Sequence, residues 1–84
     1  MYIVIVFRSR TDTLVFSQLL KSYGVRNSVV NTPRQVSVSC GVSVKIDANS
    51  LETAQNLLKR RQFNSYAGTF VLYQSNDGFS VKKI

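Results

Sequence analysis

One cysteine carries the most distinctive chemistry in this 84-residue chain. Cys40 follows Ser37 and Ser39 and precedes Gly41, and Arg34 is the nearest cation in sequence. A guanidinium close to a thiol favours the thiolate and lowers the thiol pKa, and hydroxyl groups can donate hydrogen bonds to the thiolate. Gly41 has no side chain, so a backbone or a substrate can approach the sulfur closely. Such a thiolate can accept a sulfur or selenium atom from a donor and hold it as a perthiol.

The alternative is a structural role for Cys40. A free cysteine is more often a small buried hydrophobe than a nucleophile. Cys40 lies between Ser39 and Gly41, at the predicted junction of a loop and a strand, and this position favours a functional role more than the presence of a lone cysteine does. Pro33 fixes φ at the entrance to this loop. Both interpretations stay open on the residues alone.

The composition excludes several kinds of site. The chain has no histidine, which removes the usual general base, the usual zinc ligand and any Cys–His pair within one chain. A single cysteine cannot form an intramolecular disulfide. The four acids are scattered along the chain, so they suggest neither a carboxylate pair nor a metal cage: Asp12, Asp47, Glu52 and Asp77. We therefore predict no metal site and no cofactor.

The formal net charge is +7. The basic residues are spread along the chain, with one dense run at 59–61, and a spread of this kind commonly keeps a small domain in solution. The same charge could attract nucleic acid or an acidic face on another protein. Sheets that read RNA usually display adjacent aromatic residues in a basic, glycine-containing strand, and no strand here has that arrangement. We expect only weak, charge-driven nucleic-acid binding.

The first half of the chain predicts a strand, a helix and a second strand. Residues 2–7 are apolar at successive positions, which is typical of a strand covered on both faces. Ser9 and Asp12 suit a helix N-terminus, and Gly24 suits its end. One face of this helix carries apolar residues at i, i+3, i+4 and i+7: Phe16, Leu19, Leu20 and Tyr23. The segment 25–31 is short and β-branched, which predicts the second strand.

The second half predicts a strand, a helix and two further strands. Apolar and polar residues alternate over 42–46, as in a half-buried strand. Asn49 and Glu52 have the spacing of a capping box at the start of a helix. Its inner face has four apolar residues: Leu51, Ala54, Leu57 and Leu58. The basic run 59–61 falls in the last turn, where it complements the helix dipole. Phe63 is a predicted core contact after this helix.

The C-terminal part predicts a hairpin. Residues 66–73 form a fourth strand, and Asn76-Asp77-Gly78 is a strong turn signal. Phe79 and Val81 then indicate a short fifth strand.

The order of these elements predicts an α+β fold, a ferredoxin-like split β-α-β (βαββαβ) sandwich with a C-terminal hairpin arm. The chain is long enough for one domain, 1–84, with a core at 2–73 and the arm at 75–84. Two helices cover only one face of such a sheet. The other face would carry apolar residues of the first and fourth strands, and open apolar faces usually meet a partner. We therefore predict a homodimer through the open sheet face.

The chain shows no segment that would take it to a membrane. Its apolar runs are shorter than the roughly 18–20 residues needed to span a bilayer. The apolar start lacks a basic leader and a cleavage site of small residues. We expect a cytoplasmic protein.

The segment 33–44 resembles the signature of a small bacterial family of uncharacterised proteins, the selenium/sulfur carrier-like family. That signature runs Pro-Arg-x-aliphatic-Ser-x-Ser-Cys-Gly-aliphatic-small-aliphatic. Ten positions agree in type and spacing: Pro33, Arg34, Val36, Ser37, Ser39, Cys40, Gly41, Val42, Ser43 and Val44. The resemblance extends over roughly residues 2–73. It implies a compact α/β domain in which Cys40 is the carrier residue.

The leading hypothesis is therefore a sulfur or selenium carrier, or a related thiol-based accessory protein. Cys40 would carry the atom, Arg34 would stabilise the thiolate, Ser37 and Ser39 could hydrogen-bond it, and Gly41 would leave room for the donor. Such a carrier is a stoichiometric relay without catalytic turnover of its own. It implies a cysteine desulfurase-like donor protein and an unknown acceptor.

A second hypothesis belongs to another class. The chain could be a regulatory or protein-binding module that uses the open sheet face or the loop 33–41 to hold a protein or a small anion, with a structural Cys40. Thiol reactivity in the folded protein distinguishes the two hypotheses.

Overall fold

Helices cover one face of a five-stranded antiparallel sheet in the computed structural model, which describes residues 1–36, 41–76 and 78–84. The elements are β1 (Tyr2–Phe7), α1 (Arg10–Ser22), β2 (Ser28–Asn31), β3 (Val42–Asp47), α2 (Leu51–Arg60), β4 (Tyr66–Ser75) and β5 (Gly78–Lys83), with a 3₁₀ turn at Ala48–Ser50 before α2. The strand order is β2-β3-β1-β4-β5. This arrangement confirms the predicted α+β class.

β1 lies at the centre of the sheet, between β3 and β4. Every residue from Ile3 to Phe7 is at most 1% exposed, so the predicted strand covered on both faces is confirmed. Ile3, Ile5 and Phe7 belong to the cluster packed against the helices, whereas Val4 and Val6 belong to a second cluster on the other face.

Aromatic rings fill the space between the sheet and the helices. The ring of Phe7 lies 5.4 Å from that of Phe16 and 5.2 Å from that of Phe63, and Phe16 meets Phe63 edge-on at 5.6 Å. Tilted and edge-on pairs at these distances are favourable beyond the area that they bury. The predicted core role of Phe63 is confirmed.

α1 begins and ends as its sequence predicts. The hydroxyl of Ser9 accepts a hydrogen bond from the backbone N–H of Asp12 at 3.2 Å, which satisfies one free donor of the first turn. Gly24 has φ of 76°, a conformation that glycine adopts without steric cost, and its N–H donates to the carbonyl of Lys21. Tyr23 is the C-terminal cap and is 54% exposed, so it does not continue the buried face as predicted.

The predicted capping box of α2 is wrong. The chain already turns at Ala48–Ser50, so Asn49 lies inside a 3₁₀ turn rather than at the cap. Ser50 takes the cap position without a side-chain hydrogen bond to the helix. The inner face is confirmed, with Ala54 and Leu57 buried.

β2 is shorter than predicted and begins at Ser28 instead of residue 25. A tertiary contact explains the difference. The side-chain amide of Asn27 donates to the carbonyls of Ser17 and Val25, and the Ser17 hydroxyl donates to the Asn27 side-chain oxygen. These bonds hold residues 25–27 against α1, away from the ladder that β2 forms with β3.

The second sheet face is partly covered by the chain itself. Val4, Val6, Val36 and Leu72 form a buried cluster on this face, with exposed fractions of 5% or less. Half-buried neighbours surround the cluster: Tyr2, Val30, Ala67, Phe70 and Val81. Val36 comes from the β2–β3 connection and Val81 from β5. The face is therefore less open than the sequence suggests, and the homodimer through it stays a prediction.

The C-terminal segment continues the sheet. β5 pairs with β4 from Phe70↔Lys83 to Ser75↔Gly78, and the Ser75 hydroxyl donates to the Gly78 carbonyl at 2.9 Å. The predicted hairpin is thus formed, although Asp77 of its turn lies outside the described residues. No helix within the described ranges is long and apolar enough to cross a membrane.

Candidate functional site

The connection between β2 and β3 contains the cysteine motif, and its base is fixed by hydrogen bonds. Asn31 and Val42 are the last paired residues of the two strands. Beyond them, the backbone N–H of Thr32 donates to the Gly41 carbonyl at 2.9 Å. The Thr32 and Ser43 hydroxyl oxygens lie 2.7 Å apart, at hydrogen-bonding distance. The two ends of the connection are therefore held side by side.

The first part of this connection is anchored to the sheet. The N–H of Val36 donates to the Pro33 carbonyl at 3.0 Å and closes a turn, with Arg34 and Gln35 exposed at its tip. The Val36 side chain is only 5% exposed because it packs on the second sheet face. One apolar side chain thus fixes the entrance to the motif.

The structure locates only part of the predicted site. Pro33, Arg34 and Gly41 are described, whereas Ser37, Ser39 and Cys40 lie outside the described residues. Gly41 lines a pocket whose wall does not include Arg34. The predicted neighbourhood of Arg34 and Cys40 therefore stays a prediction.

Two arginines that sequence reasoning missed lie at the end of the motif. Arg8 and Arg10 line a pocket of about 420 Å³ together with Asn31, Gly41 and Val42. β1 and β3 run antiparallel, with Val6 opposite Ser43, so the residues after β1 lie beside the residues before β3. This pairing is the signal that could have identified the arginines, since in sequence they are far from the motif.

Neighbouring elements hold the backbone of both arginines in place. The N–H of Arg8 donates to the Ser65 carbonyl at 2.7 Å, just beyond the end of β1. Arg10 is the first residue of α1, which Ser9 caps. Gly41 follows Cys40 in the sequence, so this pocket includes the residue that comes directly after the cysteine of the motif.

A second basic pocket lies elsewhere, near the end of α1. It has a volume of about 510 Å³, and its wall includes Lys21, Arg26 and Lys45 together with the acid Asp47. The pocket at Gly41 differs, because its described wall residues include two cations and no acid.

Comparison with known proteins identifies one family. The family model described as "Putative Se/S carrier protein-like" matches residues 2–67, which extend from β1 to the start of β4 and include the cysteine motif. No curated protein and no solved structure matches the chain.

Proposed function

Because the chain belongs to the Se/S carrier-like family, we propose that it carries a sulfur or selenium atom on the thiol of Cys40. The observation that supports this proposal most directly is the family match over residues 2–67, a range that contains the one cysteine of the chain. A carrier needs a single nucleophilic sulfur, and Met1 cannot supply one because a thioether does not ionise.

The loading reaction that we propose is a persulfide transfer. The Cys40 thiolate attacks the terminal sulfur of a persulfide on a cysteine desulfurase-like donor. The bond between Cys40 and that sulfur forms as the sulfur–sulfur bond of the donor breaks, and the donor's cysteine leaves as a thiolate. The transfer needs no external oxidant or reductant, and the carrier releases the atom to its acceptor by the same kind of exchange.

The other motif residues have proposed roles around this thiol. Arg34 favours the thiolate electrostatically, and Ser37 and Ser39 donate hydrogen bonds to it. Gly41 leaves room for the donor, a role supported by the open space beside it: a Cβ built there meets nothing within 4 Å. A cytoplasmic location, where thiols stay reduced, suits this chemistry.

We propose a ferredoxin-like topology for the domain. The strand order β2-β3-β1-β4, antiparallel throughout, with α1 and α2 as the two crossover connections, supports this assignment. β5 then extends the sheet at the β4 edge.

Intact-mass spectrometry tests the carrier function. Incubation with a cysteine desulfurase and cysteine should add one sulfur atom, and Cys40→Ser should gain none. Arg34→Ala should slow loading without unfolding the protein, because the Arg34 side chain is exposed. Gly41→Ala should also slow loading while the fold is kept, because its Cβ fits without a clash.

Alkylation kinetics provide a second test that does not depend on the donor. The folded protein should react with small thiol reagents, with a midpoint below the unperturbed thiol pKa of about 8.5. A Cys40 that is inert in the folded state, and replaceable by alanine without loss of cellular function, would contradict the carrier function. The binding-module hypothesis would then take its place.

A further inference from the structure

The pocket formed by Arg8, Arg10, Asn31, Gly41 and Val42 has the features of an anion site, and we infer that it binds a doubly charged tetrahedral oxyanion of the sulfate type. This inference rests on the proposed function, because it assigns the oxyanion a role in loading Cys40. The oxyanion is the SO₃ end that leaves when a small sulfur donor of the thiosulfonate class transfers its outer sulfur, and thiosulfate is the simplest such donor. The carrier can then be loaded by a small molecule as well as by a donor protein.

Two of the described residues that line this pocket are arginines and none is an acid, and neither arginine forms an ion pair with another described residue. Asp12, the acid nearest to them in sequence, instead accepts a hydrogen bond from the Ser65 hydroxyl. The basic pocket at Lys21 and Arg26 instead has Asp47 in its wall. In the basic run 59–61 at the end of α2, the Arg61 guanidinium already has an aromatic partner: it lies over the Phe63 ring, 5.5 Å from the ring centre.

The residue types match the geometry of an oxyanion. A guanidinium presents parallel N–H donors that bind two oxygens of one anion, and it remains charged at any physiological pH. The Asn31 side-chain amide can add two N–H donors. A volume of about 420 Å³ suits a small molecule, since ligand pockets in proteins span about 300–1,000 Å³.

A basic pocket beside the cysteine motif would help a thiolate to react with an anionic sulfur donor. A thiolate that attacks thiosulfate approaches a dianion, and like charges oppose this approach. Arginines that hold the SO₃ end offset the repulsion and stabilise the charge that grows there as sulfite leaves. Gly41 is both a wall residue of the pocket and the residue that follows Cys40 in the sequence, and this connection links the pocket to the motif.

The transfer balances without a further reactant. The Cys40 thiolate attacks the outer sulfur of thiosulfate, and the bond between the two sulfurs of the donor breaks. The bonding electron pair leaves with the SO₃ group as sulfite. Cys40–S⁻ and S₂O₃²⁻ thus give Cys40–S–S⁻ and SO₃²⁻, with three negative charges on each side.

Loading from thiosulfate tests the inference in the intact chain. The added sulfur is followed by intact-mass spectrometry, and released sulfite is measured in the same samples. The double variant Arg8→Gln/Arg10→Gln should load at least about tenfold more slowly, since a hydrogen bond to a charged group contributes more than one tenfold step. Arg26→Gln changes the same residue type at an equally exposed position in the other basic pocket, and it should stay within about twofold of the parent because that pocket does not include Gly41. Sulfate should inhibit loading of the parent by competition.

Loading from a cysteine desulfurase, measured on the same variants, distinguishes failure of this inference from failure of the proposed function. The double variant should still load from a cysteine desulfurase, which shows that its thiol and fold are intact. Loading from the desulfurase but not from thiosulfate in the parent protein would overturn the inference and leave the carrier function standing. Equal thiosulfate loading of the parent and the double variant would also overturn it. A parent protein that loads from neither donor, with an inert thiol, would contradict both.

Discussion

Val36 is the residue by which the cysteine motif is attached to the sheet, and its truncation gives a quantitative test of that attachment. Its side chain is 5% exposed and packs on the second sheet face with Val4, Val6 and Leu72. Val36→Ala removes two buried carbon groups, each worth about 0.8 kcal/mol. The small cavity left behind adds to this sum. We therefore expect a loss of about 2 kcal/mol in the free energy of unfolding.

Urea denaturation followed by circular dichroism measures this loss. A loss of this size is a large part of the roughly 4–13 kcal/mol expected for a domain of this length. It should lower the melting temperature by roughly 10 °C. Val29→Ala is the matched control, because Val29 lies on the edge strand β2 and is 39% exposed. The control should cost less than about 1 kcal/mol.

The comparison of the two variants tests whether Val36 anchors the motif to the sheet. If Val36→Ala costs no more than Val29→Ala, then Val36 is not a core residue and the start of the motif is not anchored to the sheet. An unchanged denaturant slope in both variants is needed for this comparison, because it shows that both unfold from the same compact state.

Three further outcomes can be checked with simple measurements. Gly68→Ala should cost about 2 kcal/mol or more in chemical denaturation, because φ at Gly68 is 151° and its Cβ would lie 3.1 Å from the Phe70 ring; full stability would contradict this. Ser9→Ala should cost about 1 kcal/mol by loss of the bond from Asp12, whereas a neutral change would mean that the cap is dispensable. Light scattering coupled to gel filtration should show a dimer if the second sheet face associates, and a clean monomer at high micromolar concentration would refute that prediction.

The elements with local signals could be predicted from the sequence. The unbroken apolar run of β1 predicted a strand covered on both faces, and Ser9 and Gly24 marked the two ends of α1 because cap chemistry depends on neighbouring residues alone. The cysteine motif is equally local, since it consists of residue types at fixed spacing within 33–44.

The features that depend on tertiary contacts could not be predicted in this way. The late start of β2 depends on the bonds between Asn27 and Ser17, ten residues apart. Val36 lies in the irregular connection between β2 and β3, and its sequence neighbours do not indicate that its side chain covers the sheet. Arg8 and Arg10 reach Gly41 only through the pairing of β1 with β3.

The hairpin formed by β4 and β5 changes which backbone groups the sheet presents to other proteins. Without β5, the ten-residue strand β4 would form the edge, and its free N–H and C=O groups would run beside Phe70, Val71 and Leu72. Long apolar edges of this kind recruit strands from other chains and promote aggregation. With β5 in place, the edge strand carries Lys82 and Lys83, and exposed lysines on an edge oppose such pairing. β5, which lies beyond the residues that the family model matches, therefore replaces a long apolar edge with a short basic one that disfavours edge-to-edge aggregation.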